Sequence, residues 1–185
     1  QPGAGSGGGR GNARSLASIR RNDRLPIDRR RCDGFAFQPI VDACNGEILS
    51  FEALVRGPHG EPSSWVFAHV PQEVYSHFDE MCRSRAIHLA SRLRIPNLLS
   101  LNMSPQGLYE VDLSITATFQ ASLDSGIPVD KIIFEVLETE SLTEKRNLVQ
   151  YLRLIQDFGF KTAIDDFGAG YSGLKLLVQY QPNYI

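Results

Sequence analysis

The sequence predicts an α/β fold, a modified TIM-type (β/α) barrel that is incomplete in these 185 residues and has an antiparallel first strand. Three observations carry that expectation. From Phe35 onward, short apolar runs alternate with longer segments of helical period, the pattern of strand and helix units around a parallel sheet. The turn signal Cys44-Asn45-Gly46 joins the first two runs by too few residues for a crossover, so those strands pair antiparallel. A closed eight-stranded barrel typically takes about 250 residues, which sets the expectation that part of the barrel lies elsewhere.

Taken in chain order, residues 1–34 begin with QPGAGSGGGRGN, a Gly/Ser-rich composition that cannot bury apolar surface. This segment holds eight Arg against three Asp, so it carries +5 while the remainder carries −7. It reads as a solvated tether to an upstream unit, or else as a contact for an anionic partner. The domain proper is residues 35–185. Strands are expected at Phe35–Val41, Ile48–Val55, Leu98–Asn102, Lys131–Leu137, Lys161–Ile164 and Tyr184–Ile185. Val74, Phe78, Met81, Cys82, Leu89, Ala90 and Leu93 recur at three-to-four spacing, which predicts one helix from Val74 to Leu93 with a core-facing stripe, ending before Pro96. Further helices are expected at Ile115–Leu123, closed by Gly126 and Pro128, and at Asn147–Phe158, stopped by Gly159. A last one spans Ser172–Tyr180, capped by Ser172 and halted before Pro182.

With 42% hydrophobic and 22% charged residues and a net charge of −2, the composition is that of a soluble globular domain with no demand for nucleic acid. It has no apolar run of bilayer length and no secretory layout at its start, so a cytoplasmic setting without membrane contact is expected. Cys32, Cys44 and Cys82 are odd in number and lack CxxC spacing, which argues against a disulfide framework or zinc. No Ser or Cys nucleophile is placed with a partnering His, and His59, His69, His77 and His88 fall in loop or helix contexts.

In a parallel barrel the functional face lies at the carboxyl ends of the strands. Four predicted strands carry an isolated polar residue there: Glu52 in ILSFEALVRG, Asn102 in LLSLNMSP, Glu135 in KIIFEVLE, and Asp165 with Asp166 in KTAIDDFGAG. Neighbouring residues on a strand point to opposite sides, so Asp165 and Asp166 serve one site only where the chain turns, as Gly168 and Gly170 allow. Burying carboxylates without compensation costs several kcal/mol, so recurring acids inside core strands imply cations. Oxygen donors with one amide favour Mg2+ or Mn2+ over zinc, and two such ions about 3.5–4 Å apart would activate water against a phosphorus or carbonyl centre. Arg56 is placed to clamp a phosphate.

The combination of FEALVRG, LNMSP, FEVLETE and DDFGAGYSG resembles the EAL domain family, the bacterial cyclic di-GMP phosphodiesterases. FAFQPIVD and FDEMCRSRAIHLA are similar to the compact subset attached to blue-light BLUF sensors. The resemblance implies a barrel whose first strand is antiparallel, in agreement with the predicted hairpin. It implies that Glu52, Asn102, Glu135 and Asp165 hold one metal and that Asp165 and Asp166 reach a second, with Glu52, Asp165 and Asp166 at the centre of catalysis. Gln38, Leu54 and Arg56 fall where the family approaches the nucleotide, and Glu138 where it steadies the loop after Asp166. That loop is tied to metal binding and to contacts within a homodimer. The implied reaction is hydrolysis of cyclic di-GMP to linear pGpG.

Leu137 and Ala169 stand where the family frequently has threonine, and neither replaces a ligand. By the resemblance, the lysine that assists the attacking water falls just beyond Ile185 and a further metal-binding glutamate later still, so the 185-residue chain is expected to hydrolyse the dinucleotide poorly. The alternatives are a non-catalytic module that binds cyclic di-GMP or a protein partner, and a scaffold in which the acids are merely structural.

Overall fold

The computed structural model describes residues 34–104, 111–137, 145–168, 177–178 and 180–185. Five strands form one mixed sheet in sequential order: β1 (Gly34–Val41), β2 (Ile48–Arg56), β3 (Leu98–Asn102), β4 (Ile132–Leu137) and β5 (Lys161–Asp165). β1 pairs antiparallel with β2, and every later pairing is parallel. The hairpin turn is stapled by the Asp42 carboxylate, which accepts the Cys44 N–H at 2.7 Å, as short polar side chains do in turns. This is part of a modified (β/α) barrel, with its antiparallel first strand as the sequence predicted.

Between the strands lie α1 (Ser63–Ala68), α2 (Tyr75–Leu93), α3 (Val111–Ser125) and α4 (Lys145–Asp157). Alternation along each strand separates the two faces of the sheet. Leu99 and Leu101 of β3, Phe134 and Val136 of β4 and Ile164 of β5 pack with Ala86 and Ile87 of α2, Ile115 of α3 and Leu152 of α4 in one core. Phe134 stands edge-on to Phe160, with ring centroids 5.2 Å apart. Side chains one residue out of phase with these, among them Ser50, Glu52, Ser100, Asn102, Glu135 and Asp165, occupy the opposite face, which becomes the barrel interior.

Several element boundaries differ from the sequence expectation. β2 runs on to Arg56, and Asp165 is the last residue of β5. The long helix starts at Tyr75, because Gln72–Val74 form a separate 3-10 turn after Pro71. Its buried face is Phe78, Asp79, Cys82, Arg83, Ala86, Ile87 and Ala90, while Leu93 is 59% exposed at the end of the helix. The apolar spacing is therefore slightly out of phase with the buried face, since a charged pair occupies two core-facing positions. The sequence does not predict α1: six residues between Pro62 and His69 are too few to show a period. The expected last strand is a single parallel bridge from Tyr184 to Ala163, held by the Asn183 N–H donating to the Thr162 carbonyl at 2.9 Å. Leu177 and Val178 are helical, and the rest of the predicted Ser172–Tyr180 helix lies outside the described residues, apart from Tyr180, which is buried outside any helix. Among the described residues no helix is long and apolar enough to cross a membrane.

Candidate metal and nucleotide site

Register brings the predicted acids to one rim. Glu52 is level with Ser100, two residues short of Asn102; Asn102 is level with Glu135; and Leu137, two residues past Glu135, is level with Asp165. The set thus climbs four ladder positions across three strand steps. Strands in a barrel of this type tilt, with a stagger of about one residue per strand, so such a climb stays at nearly constant height along the barrel axis. Only alternate residues face inward, which is why the climb comes in steps of two.

Contacts agree with the register. The Asn102 amide donates to Glu52 Oε1 at 2.6 Å, and below that pair the Ser100 hydroxyl lies 3.3 Å from Ser50 Oγ. Glu135 is 7% exposed, and its carboxyl is pushed up to about 7. Burial is the main cause, the Ser100 hydroxyl opposes it, and the negative charges of Glu52 and Asp165 add to it. A carboxyl that is buried facing two others is unfavourable as an anion unless positive charge joins it. Among the described residues no three His, Cys, Asp or Glu side chains form, as they stand, a group that could hold a metal ion. The donor set of three carboxylates and one amide oxygen suits a hard divalent cation, so the residues present fit the metal that the resemblance implies.

Asp166 follows directly with φ of 53°, the left-handed region that Asp tolerates better than most residues, and its N–H donates to Asp165 Oδ1 at 2.9 Å. The strand-end turn needed for vicinal acids to share a site is therefore present, and Gly168 at φ of 97° continues it. Gln38 lies opposite Glu52 in the β1–β2 register and is exposed. Leu54 is half-buried and lines a cavity next to Glu52. Arg56 ends β2 with its guanidinium folded back to donate to the Val55 carbonyl at 3.1 Å, so it stands at the rim and outside the cavity. Glu138, Ala169 and Gly170 lie outside the described residues.

That cavity, of about 400 Å³, was not foreseen from the sequence. Glu52, Leu54 and Asn102 form one side, and Phe67 of α1 with Tyr75 and Asp79 of α2 form another. Asp79 is 4% exposed and paired with Arg83, one helical turn on, and it also accepts the Ser104 hydroxyl at 3.3 Å. Burial first and Asp79 second raise the Tyr75 phenol. No sequence signal marked these residues, because an Asp/Arg pair spaced i,i+4 on a helix reads as an ordinary solvated pair until the burial of α2 is known.

The sequence model of the EAL domain family matches residues 23–185. The chain belongs to the EAL domain family. The match begins inside the segment expected to be a linker. Among curated relatives, the chain is 29% identical over 155 residues to the blue light- and temperature-regulated antirepressor BluF of Escherichia coli, covering 83% of this chain and 38% of BluF. It is also 29% identical over 164 residues to the probable cyclic di-GMP phosphodiesterase PdeG of the same organism, covering 80% of this chain and 31% of PdeG. Among solved structures, the manganese and cyclic di-GMP complex of Klebsiella pneumoniae BlrP1 superposes with a TM-score of 0.75 at 36% identity, over 85% of this chain and 40% of that one. BlrP1 has also been solved with calcium and cyclic di-GMP. The EAL chain thus spans well under half the length of these three proteins.

Proposed function

We propose that this EAL domain binds cyclic di-GMP and, with Mg2+ or Mn2+, hydrolyses one of its phosphodiester bonds to give linear pGpG. The observation that carries the reading is the convergence of Glu52, Asn102, Glu135 and Asp165 on one rim, with Glu135 buried among like charges. These four would hold one divalent ion, and Asp165 with Asp166 would reach a second. The metal supplies Lewis-acid activation of water and of the phosphoryl oxygen when bound. Asn102 holds the Glu52 carboxylate in place through its amide. Water adds at phosphorus as the bond to the 3′ oxygen breaks, leaving a 5′ phosphate on one nucleotide and a 3′ hydroxyl on the other.

The cavity beside Glu52 is suited to one guanine, with Phe67 and Tyr75 as aromatic walls and Asp79 as an acceptor for the donor edge of the base. Arg56 would swing from the Val55 carbonyl to a phosphate, Leu54 would border the base in that cavity, and Gln38 would border the second half of the ligand. Glu138 is assigned to steadying the loop after Asp166, through which two copies would pair. A sensor unit upstream, supported by the light-regulated relative BluF, and a cytoplasmic setting complete the proposal. BluF also favours a second reading, because it is named an antirepressor: the same fold would then bind a protein partner without hydrolysis.

Incubation with cyclic di-GMP and Mn2+ tests both readings, using this chain and a form extended past Ile185. Formation of pGpG, lost in Glu52→Ala, supports the phosphodiesterase. Tight dinucleotide binding with no pGpG from either form would favour the binding module.

A further inference from the structure

The loop between β2 and α1, RGPHGEP, is closed by a carboxylate that the metal chemistry does not use. The Gly57 N–H donates to the Glu61 carbonyl at 2.9 Å, and the Gly60 N–H donates to the Gly57 carbonyl at 3.0 Å. Glu61 Oε2 then accepts the His59 N–H at 2.9 Å, folding its side chain back across the turn. Gly57 is buried beneath it, and a Cβ at that position would overlap the Glu61 carboxylate. Gly57 and Glu61 therefore form a matched pair, one lacking a side chain where the other lays its own.

This turn leads directly into α1, one wall of the nucleotide cavity. Pro62 caps α1 without a side-chain hydrogen bond, and its carbonyl accepts the N–H groups of Trp65 and Val66 at 3.0 and 3.2 Å. α1 has only six residues, too short to hold its own position by helical propensity. Its Ser63, Ser64 and Phe67 line the cavity opposite Glu52 and Asn102. The turn begins directly after Arg56, so it sets the spacing between the end of β2 and that wall.

We propose that Glu61 is a positioning residue for the nucleotide: by closing the Gly57–Gly60 turn it fixes the α1 wall against β2 and so sets ground-state affinity for the ligand. The inference rests on the nucleotide-binding reading above and deepens it. Removing the carboxylate weakens binding and leaves the chemical step unchanged, because Glu61 touches no reacting atom.

Trp65, the single tryptophan of the chain, stands on α1 with its ring 4.1 Å from that of His69, and it gives a local probe. Titration with cyclic di-GMP in Ca2+, read by Trp65 emission, is expected to show Glu61→Ala binding about two- to fourfold more weakly than wild type, as for the loss of a solvent-exposed hydrogen bond. Glu61→Gln, which keeps one acceptor, falls between the two. Gly57→Ala also weakens binding, and the Gly57→Ala/Glu61→Ala double variant binds no worse than Gly57→Ala alone, because the clash is gone. In ligand-free protein, amide exchange over residues 57–69 speeds up in Glu61→Ala while that of α2 stays unchanged. Wild-type affinity in Glu61→Ala, or unaltered exchange over residues 57–69, would overturn the proposal. If wild type itself does not bind the dinucleotide, the nucleotide reading fails, and exchange alone decides whether Glu61 fixes α1.

Discussion

Glu135 is where the conflict between stability and chemistry is sharpest. Its carboxyl ionises near 7 in the folded chain against 4.5 as its ordinary value, so the folded state holds the proton more tightly than the unfolded chain. Stability of the metal-free protein should therefore fall as pH rises from about 4.5 through about 7, by about 3 kcal/mol in all, and stay at the lower level above that window. Glu135→Gln keeps the shape and a polar group for Ser100 but cannot ionise. Urea unfolding in chelator should show this variant more stable than wild type at pH 8 and nearly matched to it at pH 5. Equal pH dependence in the two proteins would contradict the assignment. The same variant should lose most divalent-ion affinity, since an amide replaces an anionic ligand.

At the scale of elements, α2 carries the largest departure from what its sequence suggests. Asp79 and Arg83 sit on its buried face, where apolar side chains would pack most simply. Breaking one member of a buried pair leaves an uncompensated charge, so Asp79→Ala should cost about 3–5 kcal/mol. Asp79→Leu combined with Arg83→Met should recover most of that loss in thermal melts while weakening nucleotide binding. Recovery of stability together with unchanged binding would mean that the pair is structural and does not serve the cavity.

The same helix explains which parts of the molecule were legible. Strands β2 to β5 were readable as short apolar-rich runs, and Glu52, Asn102, Glu135 and Asp165 stood out as the acid or amide toward the carboxyl end of each. The hairpin was readable from Cys44-Asn45-Gly46. The wall of the cavity was not, because α1 is too short to show a period and because Asp79 looks like an ordinary solvated acid until the burial of α2 is known. Arg56 is at the end of β2 as its position in the chain implies, but its fold-back onto Val55 depends on local geometry that no spacing rule encodes.

At the scale of the whole molecule, the sheet and its helices act as a ruler. The core on the helix side, centred on Leu99, Leu101, Ile132, Phe134 and Ile164, fixes the register of β3, β4 and β5, and register fixes which inward residues share a rim. Phe134 is fully buried, so Phe134→Ala should cost about 3–5 kcal/mol and loosen the alignment of Asn102 with Glu135. A loss of metal affinity larger than the change in folded fraction accounts for would mark that coupling.

Oxygen donors from β2, β3, β4 and β5 are proposed to gather one divalent cation at that rim, and the whole functional reading depends on it. Anomalous scattering from a crystal of the protein soaked in Mn2+ tests this most directly. A strong peak is expected within coordination distance of Glu52, Asn102, Glu135 and Asp165. An empty rim at saturating Mn2+, or a peak bound by other residues in its place, would contradict it.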